Sequence, residues 1–234
     1  MPPFTTSRRS FLASGLVAAG GVLTTTRPAA AAPPQAQPAT PDEALRRLRA
    51  GNARFVRGKT TAPRATTARR AKLVEGQAPF AVVLGCADSR LPPELVFDQS
   101  LGDLFTVRVA GNTAAAPVVV GSVEYAASIL GSSLIIVLGH DDCGAVKAAI
   151  DVVTKGKSFP GQLAGFIEPI VPAVQAVQNV GSDQLLQAAV AQNIRQAVVA
   201  LMAQSLVADA VAAGKLKVVG GEYRLSTGKV DVLT

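Results

Sequence analysis

The sequence predicts an α/β domain built on a parallel sheet, and three observations carry that reading. Apolar runs at 80–85, 104–109 and 134–139 are short and continuous rather than alternating, as strands buried on both faces of a parallel sheet are. Helical patterns stand between and after them, at 118–130 and 145–153, and alternation of strand and helix marks the α/β class. The chain has 234 residues, 49% hydrophobic against 17% charged, enough for a sizeable core in one domain.

Each element has a local reason. Ahead of the sheet, Asp42 is placed to cap a helix over 43–56, in which Leu45, Leu48, Asn52 and Phe55 share a face and which Gly58 ends. A basic, Thr-rich stretch leads to a second helix near 68–75. After the third strand, Pro169 and Pro172 interrupt a longer helical region. Residues 183–211, rich in Ala, Gln and Val, keep helical spacing to their end. Residues 215–219 read as a further strand, and 222–225, a turn at 226–229 and 230–233 read as an antiparallel edge hairpin. In such a domain, sites are expected at the carboxyl ends of the strands.

The first 32 residues read as an address. Ser7-Arg8-Arg9-Ser10-Phe11-Leu12 opens an apolar stretch over 11–23, and Ala29-Ala30-Ala31-Ala32 suits a signal-peptidase site. As a helix that stretch reaches roughly 20 Å, short of the ~30 Å hydrocarbon core, so a cleaved signal is expected rather than an anchor. Adjacent arginines before Phe-Leu resemble the twin-arginine signal of bacteria; a Sec signal in which two arginines adjoin is the alternative. The resemblance implies that the precursor meets the twin-arginine export machinery. The protein would then be periplasmic or extracellular, and would fold, take its metal and keep its thiols reduced before export. Residues 33–41 form a Pro-rich linker and 42–234 the domain, with no further apolar run long enough to anchor it in a membrane. Of the net charge of +7, three positive charges are Arg8, Arg9 and Arg27 in the acid-free signal, which leaves a modest surplus elsewhere. With 4% aromatics and no Trp, a nucleic-acid stacking platform is not expected.

The chain has two cysteines and one histidine, and their placement points to a metal. Cys86 directly follows the first apolar run and His140 the third. Cys143 comes three residues after His140, in Gly139-His140-Asp141-Asp142-Cys143-Gly144, where a helix should begin. His-x-x-Cys spacing lets both side chains converge on one ion. Two thiolates and an imidazole suit Zn²⁺, and three protein ligands leave a fourth position for water, the pattern of a catalytic site. A Cys86–Cys143 disulfide and a buried structural histidine are the rival readings. A Cys-x-x-Cys redox pair is absent. In Cys86-Ala87-Asp88-Ser89-Arg90, Asp88 and Arg90 can both point back to the open side of the metal. Arg90 would hold the carboxylate ionised and oriented. Asp88 then either accepts a hydrogen bond at the fourth position or occupies it.

Together, Cys-Ala-Asp-Ser-Arg and Gly-His-x-x-Cys-Gly at this separation resemble the β-class carbonic anhydrases. The likeness extends over 43–234. It takes in Leu48-x-x-Gly51-Asn52-x-Arg54-Phe55, Phe105-x-x-Arg108-x-Ala110-Gly111-Asn112, Glu124-Tyr125-Ala126 and the tail at 220–232. The resemblance implies one Zn²⁺ per chain on Cys86, His140 and Cys143, with Asp88 and Arg90 as catalytic dyad, hydrating carbon dioxide reversibly to bicarbonate and a proton. It also implies a four-stranded parallel sheet with an added antiparallel edge strand, flanked by helices, and an N-terminal helical arm that wraps the partner of a homodimer or dimer of dimers. Gln77, Phe105 and Tyr125 match residues that line the carbon dioxide pocket at the subunit interface. A branch with a regulatory bicarbonate site has Trp three residues before the first Cys, where this chain has Val83, so that site is not expected. Two alternatives stand beside this: a related zinc hydrolase of carbonyl sulfide or carbon disulfide, and an exported zinc-binding protein without turnover. Two thiolates should give a less acidic water than three histidines would, with activity rising into alkaline pH. Because His140 is committed to the metal, no second imidazole is available as a proton relay.

Overall fold

The computed structural model describes residue 38 and residues 40–61 and 65–233. The signal segment 1–32 and most of the linker 33–41 lie outside the described residues.

The first helix, α1 (Pro41–Val56), is capped by Thr40, whose hydroxyl accepts a hydrogen bond from Glu43 N–H at 3.2 Å. Pro41, at the first helical position, needs no N–H partner there. Asp42 therefore lies inside the helix, and its carboxylate pairs with Lys217 instead. Leu48 and Asn52 are buried on the expected face. Asn52 ties the helix to its own chain: its Nδ2 donates to Val96 O and Gly228 O, and its Oδ1 accepts from Val230 N–H. A short α2 (Thr67–Leu73) follows, held through Arg69 to Leu101 O and Asp103.

The sheet contains β1 (Ala81–Cys86), then, after a short α3 (Pro93–Val96), β2 (Leu104–Val109). Next come α4 (Pro117–Ser128), β3 (Leu134–His140) and α5 (Gly144–Lys155). The remaining helices are α6 (Leu163–Ile167), α7 (Val171–Ala176), α8 (Leu185–Met202) and α9 (Ser205–Ala212). Strands β4 (Lys217–Tyr223) and β5 (Val230–Leu233) close the chain. The order is β2-β1-β3-β4-β5, with the first four parallel and β5 antiparallel to β4. Four parallel strands with one antiparallel edge strand is the predicted architecture.

Every residue of β1 and β3 is buried, which is why their sequences run apolar without alternation. Helix α8 lies on the face that presents Gly139 and Gly220: a Cβ at either would meet Ile194 at 2.7 Å. Helix α1 borders β3 from the other side, where Leu48 and Ile136 line one cavity of about 410 Å³.

Besides the cap, three expectations need correction. Residues 217–223 form one strand rather than two pieces broken at Gly220-Gly221. Residues 183–211 are two helices, which meet at 86°. The four-residue α3 begins at Pro93, behind Pro92, where no helix was expected. Among the described residues, no single helix is long and apolar enough to cross a membrane.

Candidate metal centre

In the strand order, β1 and β3 are neighbours whose connections leave their carboxyl ends in opposite directions, from β1 to β2 and from β3 to β4, and open a crevice between them. Gly85 lies opposite Leu138, and therefore Cys86 and His140 end adjacent strands almost level with one another. Asp142, in the left-handed region at φ 57°, reverses the chain and returns Cys143, the residue before α5, to the same crevice. All three side chains are buried, and their ligand atoms lie within 4.8 Å of one another.

The donor set fits a tetrahedral ion. Cys86 and Cys143 are free thiols with sulfurs 3.9 Å apart, far beyond the ~2.05 Å of a disulfide. Zinc–sulfur bonds of ~2.3 Å at the tetrahedral angle separate two sulfurs by about 3.8 Å. His140 is 0% exposed, and its Nδ1 lies 2.7 Å from Asp141 O. That contact places the ring proton on Nδ1 and leaves Nε2 as a lone-pair donor. Nε2 has no hydrogen-bond partner among the described residues, although a buried nitrogen of this kind is costly to leave unpaired.

The thiols make the same point electrostatically. A hydrogen bond from Cys143, with the Gly111 N–H adding to it, holds Cys86 well below the usual thiol range despite burial. The sulfur of Cys86 in turn pushes Cys143 up, and burial adds to that. The pair alone thus settles on one thiolate, whereas a divalent cation between them stabilises two.

Asp88 and Arg90 form a closed unit beside the three donors. Asp88 Oδ1 accepts from Arg90 N–H and Nε–H, each at 2.9 Å, and Oδ2 accepts from a terminal N–H at 2.8 Å. The Arg90 guanidinium holds the Asp88 carboxyl well below the usual carboxylate range. Asp88 Oδ2 stands 3.7 Å from His140 Nε2, so the carboxylate faces the centre while remaining bound to Arg90.

The segment after β2 supplies a fourth wall. Gly111 N–H points at Cys86 Sγ, 3.4 Å away, and Gly111 O accepts from Asn193 Nδ2 at 2.8 Å. Gly111 has φ 75°, and a Cβ there would come within 2.5 Å of Ile170. Only glycine provides both the turn and the space.

A sequence model of the family described as carbonic anhydrase matches residues 81–230, which include every residue of this centre. The chain belongs to the carbonic anhydrase family. A carbonic anhydrase of Mycolicibacterium smegmatis is 40% identical over 195 residues, covering 83% of this chain and 94% of its own. Carbonic anhydrase 2 of Mycobacterium tuberculosis is 40% identical over 193 residues, 81% of this chain and 91% of its own. The crystal structure of the β-carbonic anhydrase CafA of Aspergillus fumigatus superposes with a TM-score of 0.64 at 26% identity, over 70% of this chain and 79% of that one. The β class of carbonic anhydrases is thus the one to which both sequence and fold assign the chain.

Within this β-carbonic anhydrase, the other sequence-predicted residues are placed unevenly. Phe105 on β2 is half-buried and Tyr125 on α4 is 48% exposed, with ring centroids 6.3 Å apart. Gln77 is exposed in the coil before β1. Val83 is buried within β1. Sequence reasoning assigned no part to Arg108, Gly111 or Asp141, although all three stand in quoted motifs. Their contacts are a side chain to a neighbouring strand's carbonyl, a backbone N–H to sulfur, and a backbone carbonyl to a ring nitrogen. Residue type alone signals none of these.

Proposed function

We propose that this protein catalyses CO₂ + H₂O ⇌ HCO₃⁻ + H⁺ with one zinc ion per chain held by Cys86, His140 and Cys143. The observation that carries the reading is the buried donor triangle, with its unpartnered His140 Nε2, beside an Asp–Arg pair in a carbonic anhydrase chain. Zinc, when bound, supplies a Lewis acid that lowers the pKa of a water from ~15.7 towards neutrality. Asp88 Oδ2 accepts a hydrogen bond from the nucleophile and orients it, and Arg90 keeps that carboxylate ionised. Phe105 and Tyr125 give an apolar wall against which carbon dioxide packs, and Gln77 donates a hydrogen bond to a substrate oxygen.

A homodimer completes that pocket in this proposal. Val118 and Tyr125 of α4 and Ile129, which caps its carboxyl end, are exposed at spacings of seven and four, so one face carries an apolar stripe that includes the Phe105–Tyr125 pair. In this proposal a second copy covers that stripe, and the exposed Gln77 meets the pocket across the interface.

The deciding experiment measures zinc content and carbon dioxide hydration on the purified mature protein. Close to one zinc per chain with fast hydration supports the proposal. Full zinc with turnover only of carbonyl sulfide or carbon disulfide, or with no turnover, overturns it.

We further propose export by the twin-arginine route, on the strength of Arg8-Arg9 before the apolar stretch at 11–23. Changing Arg8 and Arg9 together to Lys should leave the precursor in the cytoplasm on cell fractionation. Undiminished export would assign the protein to the Sec route.

A further inference from the structure

We propose that Arg108 is a positioning residue for this reaction: it fixes the backbone between Cys86 and Asp88 and so sets where the Asp88 carboxylate stands. The inference rests on the functional reading above and concerns a residue whose side chain hydrogen-bonds to backbone carbonyls.

Among the described residues, the hydrogen bonds of the Arg90 side chain go to Asp88 alone, and that side chain is 52% exposed. Asp88 and Arg90 therefore orient one another but fasten each other to nothing else. Their position is inherited from the backbone, and the sheet stops supporting that backbone early. The last ladder bond runs from Ala87 N–H to Val109 O at 3.1 Å, one residue before Asp88.

Arg108 takes over where the ladder ends. It lies on β2 opposite Gly85, and its guanidinium reaches along the departing chain. Nε donates to Cys86 O at 3.1 Å, and a terminal nitrogen donates to Asp88 O at 2.6 Å. Asp88 O also accepts from Leu91 N–H at 3.0 Å, so both of its lone pairs are used. One planar, permanently charged fork thus bridges the carbonyl of a metal-donor residue and the carbonyl of the proposed dyad residue. A lysine offers a single nitrogen and cannot span the two carbonyls in that geometry. If the bridge is removed, the Asp88–Arg90 unit keeps its internal bonds and shifts as a body relative to His140 Nε2.

The test is a double-mutant cycle on the zinc-loaded full chain, with Arg108→Met made in the parent and in an Asp88→Asn background. In the parent, zinc content should stay unchanged while kcat/KM for carbon dioxide falls by roughly 10- to 100-fold, the range typical of residues that orient a metal site from behind. In the Asp88→Asn background the same change should cost less than about two-fold, because the group it positions is already disabled. Arg108→Lys should recover only part of the loss. A crystal structure of zinc-loaded Arg108→Met should show the Asp88 carboxylate displaced from its place beside His140 Nε2. Parent-like turnover per zinc, an equal fold-loss in both backgrounds, or an undisplaced Cys86–Arg90 segment would each overturn the proposal. Should the zinc-loaded parent prove inactive, the functional reading fails, and the crystal structure alone decides whether Arg108 holds Asp88. Should Arg108→Met not fold, Arg108→Gln, which retains one donor, is read through the same cycle.

Discussion

His140→Ala should lose the metal and with it at least about 10³-fold of carbon dioxide hydration, since an uncoordinated water returns to a pKa of ~15.7. The imidazole is the only nitrogen among the three donors, and it is held by burial on β3 and by its Nδ1 contact to Asp141 O. Without it two sulfurs remain, too few for a closed tetrahedral set. Elemental analysis should find close to one zinc per parent chain and nearly none in the variant. Melting temperature gives a second measure: an ion that binds only the folded chain raises the parent's Tm and a chelator lowers it, whereas the variant should respond to neither. Because truncating a fully buried ring also leaves a cavity, Cys86→Ser serves as the volume-conserving companion and should lose zinc likewise. Stoichiometric zinc in either variant would mean that the ion is held elsewhere.

Both halves of that donor set were legible because each sits where a sequence pattern ends. The runs that became β1 and β3 are apolar throughout, and Cys86 and His140 are the first chemically active residues at their ends. The spacing of Cys143 from His140 then needs only one reversal, supplied by Asp142. Strand limits shifted by a residue for the same reason: Cys86 and His140 still make ladder bonds although their side chains belong to the site.

What stayed hidden depends on contacts distant in sequence. Gly220-Gly221 looks like a break, yet it belongs to a continuous strand because α8 packs so close that Ile194 leaves no room for a side chain at Gly220. The bend between α8 and α9 carries neither proline nor glycine, so helical spacing passes through it unmarked. Thr40 outcompetes Asp42 as cap because Pro41 between them favours the first helical position. Gln77 matched its motif in the sequence, but a single chain leaves it exposed, as a residue proposed to meet its pocket across a dimer interface would be.

Asp88→Asn should keep the zinc and lose hydration on the order of 10²-fold, in keeping with removal of one positioned acceptor. The zinc is retained because the carboxylate lies outside the donor triangle and is bound through both oxygens to Arg90. The rate falls because an amide nitrogen cannot accept, and because it also confronts an Arg90 N–H with a second donor, which breaks one of the two side-chain bonds that orient the group. The pH dependence distinguishes this from a titration effect. Arg90 holds the Asp88 carboxyl below the usual carboxylate range, and a lowered pKa keeps the group ionised at every pH above it. The parent's carboxylate is therefore charged throughout the neutral and alkaline range, and the ratio of parent to variant rates should stay flat there. A variant that hydrates carbon dioxide as fast as the parent would remove Asp88 from the mechanism. A variant that loses its zinc would instead make Asp88 a ligand, and a ratio that varies with pH would mean that Asp88 works by exchanging a proton rather than by accepting a hydrogen bond.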